Sequence, residues 1–246
     1  MLENPPNPDG IMTDYLWKDI LTKHKLSRII ENYAQVVVEE DPETKKKSVK
    51  QIFPRYHQLD VVEKLLADVK ENGIGKRYLI QHSAGSGKSN SISWLAHQLI
   101  GLEENGHPML DSVLVVTDRR ILDKQIRDNI KQFMQVANTV AWAEHSGDLR
   151  DAIKEGKRII ITTVEKFPNV VPDIGATHKD NKFAVIIDEA HSGQSGRNSA
   201  HMNLALSGLV SEDEMDNEDK INAMMEGRKL LKNASYFAFT ATPKNK

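Results

Sequence analysis

At 246 residues, with 39% hydrophobic and 28% charged side chains, the chain has the make-up of a globular protein rather than a disordered one, with room for one large α/β domain and an appendage. The absence of cysteine excludes disulfides and thiolate metal sites and suits a reducing cytoplasm. A formal net charge of -2 excludes a uniformly basic surface, so nucleic acid must be met by a local patch or a partner; no apolar run approaches the roughly 20 residues that span a bilayer.

The first ten residues, MLENPPNPDG, read as a tail or linker, and they lack the charged and apolar regions of a secretory signal. Residues 13–33 carry Leu16, Trp17, Ile20, Leu21, Ile29 and Ile30 at near-helical spacing, which predicts a pair of docking helices with Thr13 or Asp14 as the cap. Residues 35–53 hold two β-prone runs around DPET, a hairpin in which Glu39 and Glu40 would face Lys45 to Lys47. A helix follows from Tyr56, stopped by Gly73.

Beyond it, strand-like and helix-like segments alternate. Strands are expected at 78–81, 112–117, 158–163, 183–188 and 236–240, with TVAWAE (139–144) as a further candidate. VLVVTD, IIITT and AVIID are short, continuous apolar runs, as in strands of a parallel sheet covered on both faces. The acidic piece SEDEMDNED (211–219) reads as an exposed loop in a helical insertion.

Four stretches carry chemistry. The first is LIQHSAGSGKSN (79–90), a strand, a glycine-bearing turn and the start of a helix. In such a turn, backbone N–H groups and the helix N-terminus converge on an anion. Gly85 and Gly87 permit the backbone angles, with Ser83, Ala84 and Ser86 completing a cradle; Lys88 would neutralise phosphate and Ser89 would offer a hydroxyl to Mg²⁺. The strict pattern wants glycine where this chain has His82, at the strand's end. The second stretch is Asp188-Glu189-Ala190-His191, two carboxylates where a buried strand ends. Asp188 would hold hydrated Mg²⁺ and Glu189 would polarise an attacking water. The third is FTATP (239–243), whose hydroxyls could meet the acidic turn. The fourth is PRYHQ (54–58), where the Gln58 amide could read the edge of adenine.

These stretches occur together with VLVVTDRRILDKQI (113–126), IIITTVEKF (159–167) and VIIDEAHSGQSG (185–196). In that order they resemble the first RecA-like motor domain of superfamily 2 helicase-type ATPases. More closely, they resemble the restriction subunit of type I restriction-modification enzymes. The resemblance covers roughly residues 50–246, with GIMTDYLWKDILTKHKL similar to that subunit's linker. It implies an α/β P-loop fold, a RecA-like, mostly parallel sheet with helices on both faces, over 51–246. Linker helices and a hairpin would occupy 1–50.

By the same resemblance, Arg55 and Gln58 would sit at adenine and Lys88 on phosphate, with Ser89 and Asp188 on Mg²⁺ and Glu189 as the water-activating acid. His191, Thr240 and Thr242 would couple hydrolysis to movement. Thr117, Arg119, Arg120, Thr162 and Thr163 would lie near the tracked DNA strand. The implied activity is ATP-dependent translocation of double-stranded DNA coupled to cleavage, with methylase and specificity subunits as partners, in the cytoplasm. The family's second RecA-like domain, which supplies arginine fingers, and its nuclease domain are not expected within these residues. A DEAH-type helicase outside restriction systems, or an interaction module with a spent nucleotide site, are the alternative readings.

Overall fold

The computed structural model describes residues 10–40, 44–83, 85–117, 130, 140–143, 145–163, 178–188 and 233–241. The chain divides into two units, residues 1–65 and 66–246. The boundary falls inside helix α2 (Tyr56–Asn72), which Gly73 ends with φ 74° and an N–H donated to the Val69 carbonyl.

In the first unit, Leu16–Ile20 forms a π-helical turn closed by the Leu21 N–H on the Leu16 carbonyl at 2.7 Å. Thr22 then turns extended (ψ 144°), and helix α1 starts afresh over Lys23–Asn32. This break divides the apolar stripe expected over 13–33. Ile29 is buried, whereas Leu16, Trp17, Leu21 and Ile30 stay exposed. The cap position of the π-helical turn falls one residue past the expected Thr13 or Asp14. Tyr15 holds the cap position of the π-helical turn without a side-chain bond, and Asp14 instead accepts from Lys18 Nζ at 2.5 Å. Strands β1 (Gln35–Glu40) and β2 (Lys47–Ile52) pair antiparallel as the hairpin expected from the sequence, with Glu40 opposite Lys47.

The second unit is built on one sheet. Its strands are β3 (Arg77–His82), β6 (Ser112–Thr117), β7 (Val140–Trp142), β8 (Ile159–Thr163), β9 (Phe183–Ile187) and β10 (Ala234–Ala241). All adjacent pairs are parallel, in the order β3-β10-β9-β6-β8-β7. The strands expected from the apolar runs are all present, and β6, β8 and β9 are buried along their whole length. A small hairpin, β4 (Glu103–Glu104) and β5 (His107–Pro108), was not expected from the hydrophobic pattern. Its signal was Asn105-Gly106, both at positive φ, the pair that favours a two-residue reversal.

Helices cover both faces. Helix α3 (Lys88–Ile100) packs on β6, β8 and β9, and helix α4 (Ser146–Lys154) on β7 and β8. Leu149, Ala152 and Ile153 of α4 join Leu114, Val116, Ile160, Val185 and Ile187 in one buried cluster. By the two-residue pleat, Val113, Val115, Ile161 and Ile186 turn to the opposite side. Each of these side chains is fully or almost fully withdrawn from solvent. At the β3 edge, Tyr78 stacks on Phe237 (centroids 4.7 Å, planes 11° apart) and donates to Asp68 at 2.7 Å. Burial and then that carboxylate push the Tyr78 phenol far above its usual range, while the Tyr78 and Lys76 bonds hold Asp68 below its own.

Candidate functional site

The phosphate-loop candidate lies between the end of β3 and the start of α3. The Ser86 N–H donates to the Ser83 carbonyl at 3.1 Å and closes a turn. Gly85 (φ 75°) and Gly87 (φ 83°) flank Ser86 in the left-handed region, which costs an ordinary L residue about 1–2 kcal/mol. Gly87 is the N-cap of α3, and its carbonyl accepts the N–H groups of Asn90 (3.1 Å) and Ser91 (3.3 Å). Lys88 and Ser89 are therefore the first helical residues, at the positive end of the helix dipole. One turn on, Ser93 Oγ donates to the Ser89 carbonyl at 2.9 Å.

Asp188 follows β9 directly. Its N–H donates to the Val116 carbonyl at 2.9 Å, continuing the pairing with β6, and its side chain is fully buried. Strand β10 separates β9 from β3. Two parallel strands with one between them lie roughly 10 Å apart. Lys88, which opens the helix after β3, reaches toward the end of β9, and its Nζ lies 3.2 Å from Asp188 Oδ1 with Lys88 itself only 14% exposed. A carboxylate this deep is tolerated when a cation compensates it.

A cation, a buried carboxylate and a helix N-terminus thus converge at the carboxyl ends of the strands, where open α/β sheets bind ligands. Ser89 and Asp188 supply hard oxygen donors. That suits Mg²⁺, which takes one or two protein oxygens and completes its shell from water and substrate phosphates. Among the described residues no group of three or more His, Cys, Asp or Glu side chains could hold a metal by itself.

Sequence reasoning marked His82 as a departure from the strict loop pattern but gave its side chain no role. It is buried, its Nδ1 lies 2.9 Å from Ser86 Oγ in a hydrogen bond, and its ring sits 5.8 Å from that of Phe239, tilted by 41°. In the structure exposed Leu79 and Gln81 alternate with buried Ile80 and His82, whereas the run Leu-Ile-Gln-His carries no apolar–polar alternation that signals an inward His82.

The other site candidates are distributed as follows. Thr117 and Thr163 pair in register at the ends of β6 and β8, and the β6–β9 register sets Thr117 beside Asp188 on one face. Thr162 lies on the other face. All three are buried, and the Thr117 hydroxyl donates to the Thr162 carbonyl at 3.4 Å. The hydroxyls of Thr162 and Thr163 have no hydrogen-bond partner among the described residues. Thr240 is buried in β10, one residue past Phe239 and so on the face away from His82. Ala84, Arg119, Arg120, Glu189, His191 and Thr242 lie outside the described residues. In the first unit, Gln58 is buried and its Oε1 accepts the Arg55 N–H at 2.8 Å, so this amide serves the start of α2; Arg55 itself is exposed.

Known proteins give the site its context. The chain is 29% identical over 158 residues to the C-terminal part of the type I restriction enzyme MpnIIP endonuclease subunit of Mycoplasma pneumoniae, covering 58% of this chain and 73% of that one. It is 27% identical over 212 residues to the type I restriction enzyme HindI endonuclease subunit of Haemophilus influenzae, covering 80% of this chain and 18% of that one. The SauCOLORF180P endonuclease subunit of Staphylococcus aureus is 26% identical over 195 residues, 77% of this chain and 17% of the relative. The chain thus spans under a fifth of the length of the HindI and SauCOLORF180P subunits. Among solved structures, the UvsW helicase of bacteriophage T4 aligns over 90% of this chain and 61% of its own length, with a TM-score of 0.48 and 14% identity. A nuclease-deletion mutant of the Type ISP restriction-modification enzyme LlaGI, in complex with a DNA substrate mimic, aligns over 80% of this chain and 18% of its own length, with a TM-score of 0.46 and 17% identity. The model of the SWI2/SNF2 ATPase family matches residues 57–246, well over half the chain. With a parallel sheet, a phosphate loop after β3 and a buried acid after β9, the fold is the RecA-like P-loop one, and the chain belongs to the SWI2/SNF2 ATPase family.

Proposed function

We propose that these residues form the ATP-binding motor domain of a type I restriction endonuclease subunit, one that in the full enzyme couples ATP hydrolysis to translocation along double-stranded DNA and to its cleavage. The observation that carries the ATP site is the 3.2 Å approach of Lys88 to the buried Asp188 at the mouth of the phosphate loop. The relatives named as type I restriction endonuclease subunits favour the restriction role.

In this reading the loop from Ser83 to Ser89, Ala84 included, holds the nucleotide phosphates. Lys88 leaves Asp188 for the phosphate when Mg·ATP enters. Ser89 and Asp188 would hold Mg²⁺, partly through water, and the bound ion would supply charge neutralisation at the phosphates. Glu189 orients the attacking water, and Arg55 and Gln58 read adenine. His191, Thr240 and Thr242 carry the change at the γ-phosphate into movement, while Thr117, Arg119, Arg120, Thr162 and Thr163 belong to the DNA-facing loops. The motor domain occupies 51–246 and the linker 1–50. Methylase and specificity subunits are the partners, in the cytoplasm; among the described residues no helix is long and apolar enough to cross a membrane.

By itself the 246-residue chain should bind Mg·ATP weakly and turn it over slowly. Titration with a fluorescent ATP analogue, with and without Mg²⁺, tests the site. Lys88→Ala should abolish binding, and an unchanged affinity in that variant overturns the assignment.

A further inference from the structure

The phosphate loop carries two glycines at positive φ, Gly85 and Gly87, with Ser86 between them. Glycine gives up more conformational freedom on ordering than any other residue, so this is the part of the loop most in need of an anchor. The anchor on Ser86 is His82. Its Nδ1 holds Ser86 Oγ at 2.9 Å, and both residues are buried. The imidazole is itself held on two sides. Its backbone pairs with β10, with Gln81 opposite Thr240 and His82 opposite Ala241, and its ring rests against Phe239.

We propose that His82 is a positioning residue of the phosphate loop. Through Ser86 it sets the curvature of the Gly85–Gly87 segment before nucleotide arrives, and through Phe239 it fixes that curvature to strand β10. The inference rests on the nucleotide reading of the loop. A loop already shaped for its ligand loses less entropy on binding, so the His82–Ser86 bond should act on affinity as well as on folding. The glycine that stands here in the strict phosphate-loop pattern offers no such bond.

A double-mutant cycle on nucleotide affinity tests this, using the whole chain and the fluorescent ATP analogue with Mg²⁺. His82→Phe keeps a ring against Phe239 and removes the bond; Ser86→Ala removes its other half. Each should weaken binding about three- to tenfold, as expected for one buried hydrogen bond, and the double variant should be no weaker than either single one. His82→Asn sets a polar atom near the place of Nδ1 and should bind within about twofold of the parent. A merely structural role would lower the melting temperature in His82→Phe yet leave the two effects on affinity independent. Losses that multiply in the double variant, or a His82→Asn variant as weak as His82→Phe, overturn the proposal. If Lys88→Ala loses binding while the cycle is additive, only the role of His82 fails. If Lys88→Ala binds like the parent, or the parent binds no nucleotide, the reading of the site fails and this inference with it.

Discussion

Lys88 Nζ stands 3.2 Å from Oδ1 of Asp188, and the aspartate side chain is fully buried. Lys88 opens the helix that follows β3 and Asp188 follows β9, two strands separated in the sheet by β10. Such a pair holds the site together only while both charges remain, because the cost of desolvating each is met by the other.

Lys88→Met should therefore lower the unfolding free energy by about 3 kcal/mol, since Asp188 would be left as an uncompensated buried charge. Adding Asp188→Asn to Lys88→Met should recover most of that loss. Urea denaturation of the two single variants and the double one checks this. Strictly additive losses would show that the two side chains do not interact.

Gly85 has φ 75°, and a Cβ built there meets no atom within 4 Å. The cost of replacing it is thus conformational rather than steric. Gly85→Ala should destabilise by about 1 kcal/mol, Gly85→Asn by less, because asparagine enters the left-handed region more readily, and Gly85→Val by more. Thermal melts of the three variants give the order.

Arg158 donates to the Ile100 carbonyl at 2.6 Å and to the Leu110 carbonyl at 3.2 Å, tying the last turn of α3 to the segment entering β6. Arg158→Met leaves both carbonyls without this donor and should cost about 2 kcal/mol. Arg158→Lys should restore only part, since an ammonium lacks the planar fork that reaches two acceptors. Denaturant midpoints separate the three proteins.

Burial lowers the pKa of His97, on α3, from its ordinary value of 6.5. Above that value the ring is neutral in both the folded and the unfolded chain. As pH falls below it, the unfolded chain takes up the proton first, so stability declines until the lower folded-state pKa is passed. The melting temperature should fall between about pH 7 and pH 5, and less so in His97→Gln, which has no proton to bind there. Equal slopes in the two proteins would exclude His97 as a source of the pH dependence.

Much of the fold was legible because the strands of a doubly covered sheet must be apolar throughout. Val113–Val116, Ile159–Ile161 and Phe183–Ile187 announce themselves in that way, and all are buried. The linker was less legible. A helical spacing of Leu16, Trp17, Ile20 and Leu21 says nothing of the π-helical closure from Leu21 to Leu16, which ends the period and leaves three of those four side chains exposed. Gln58 was read only as an adenine contact; that its carbonyl also accepts the Arg55 N–H is a local bond that residue type alone does not reveal.

The phosphate loop itself was set by local chemistry. Gly85, Gly87, Lys88 and Ser89 between a strand and a helix define a turn whose backbone angles few other residues adopt, so their order along the chain suffices. The partners of that loop were decided by the tertiary structure. Strand order is not written in any single strand, because parallel strands of similar composition can exchange neighbours without changing their own burial. The order β3-β10-β9 decides that the loop after β3 and the end of β9 lie one strand apart, where Lys88 meets Asp188, and it lays Phe239 against His82. The bonds that shape the site thus join residues whose adjacency is a property of the sheet, not of any stretch of sequence.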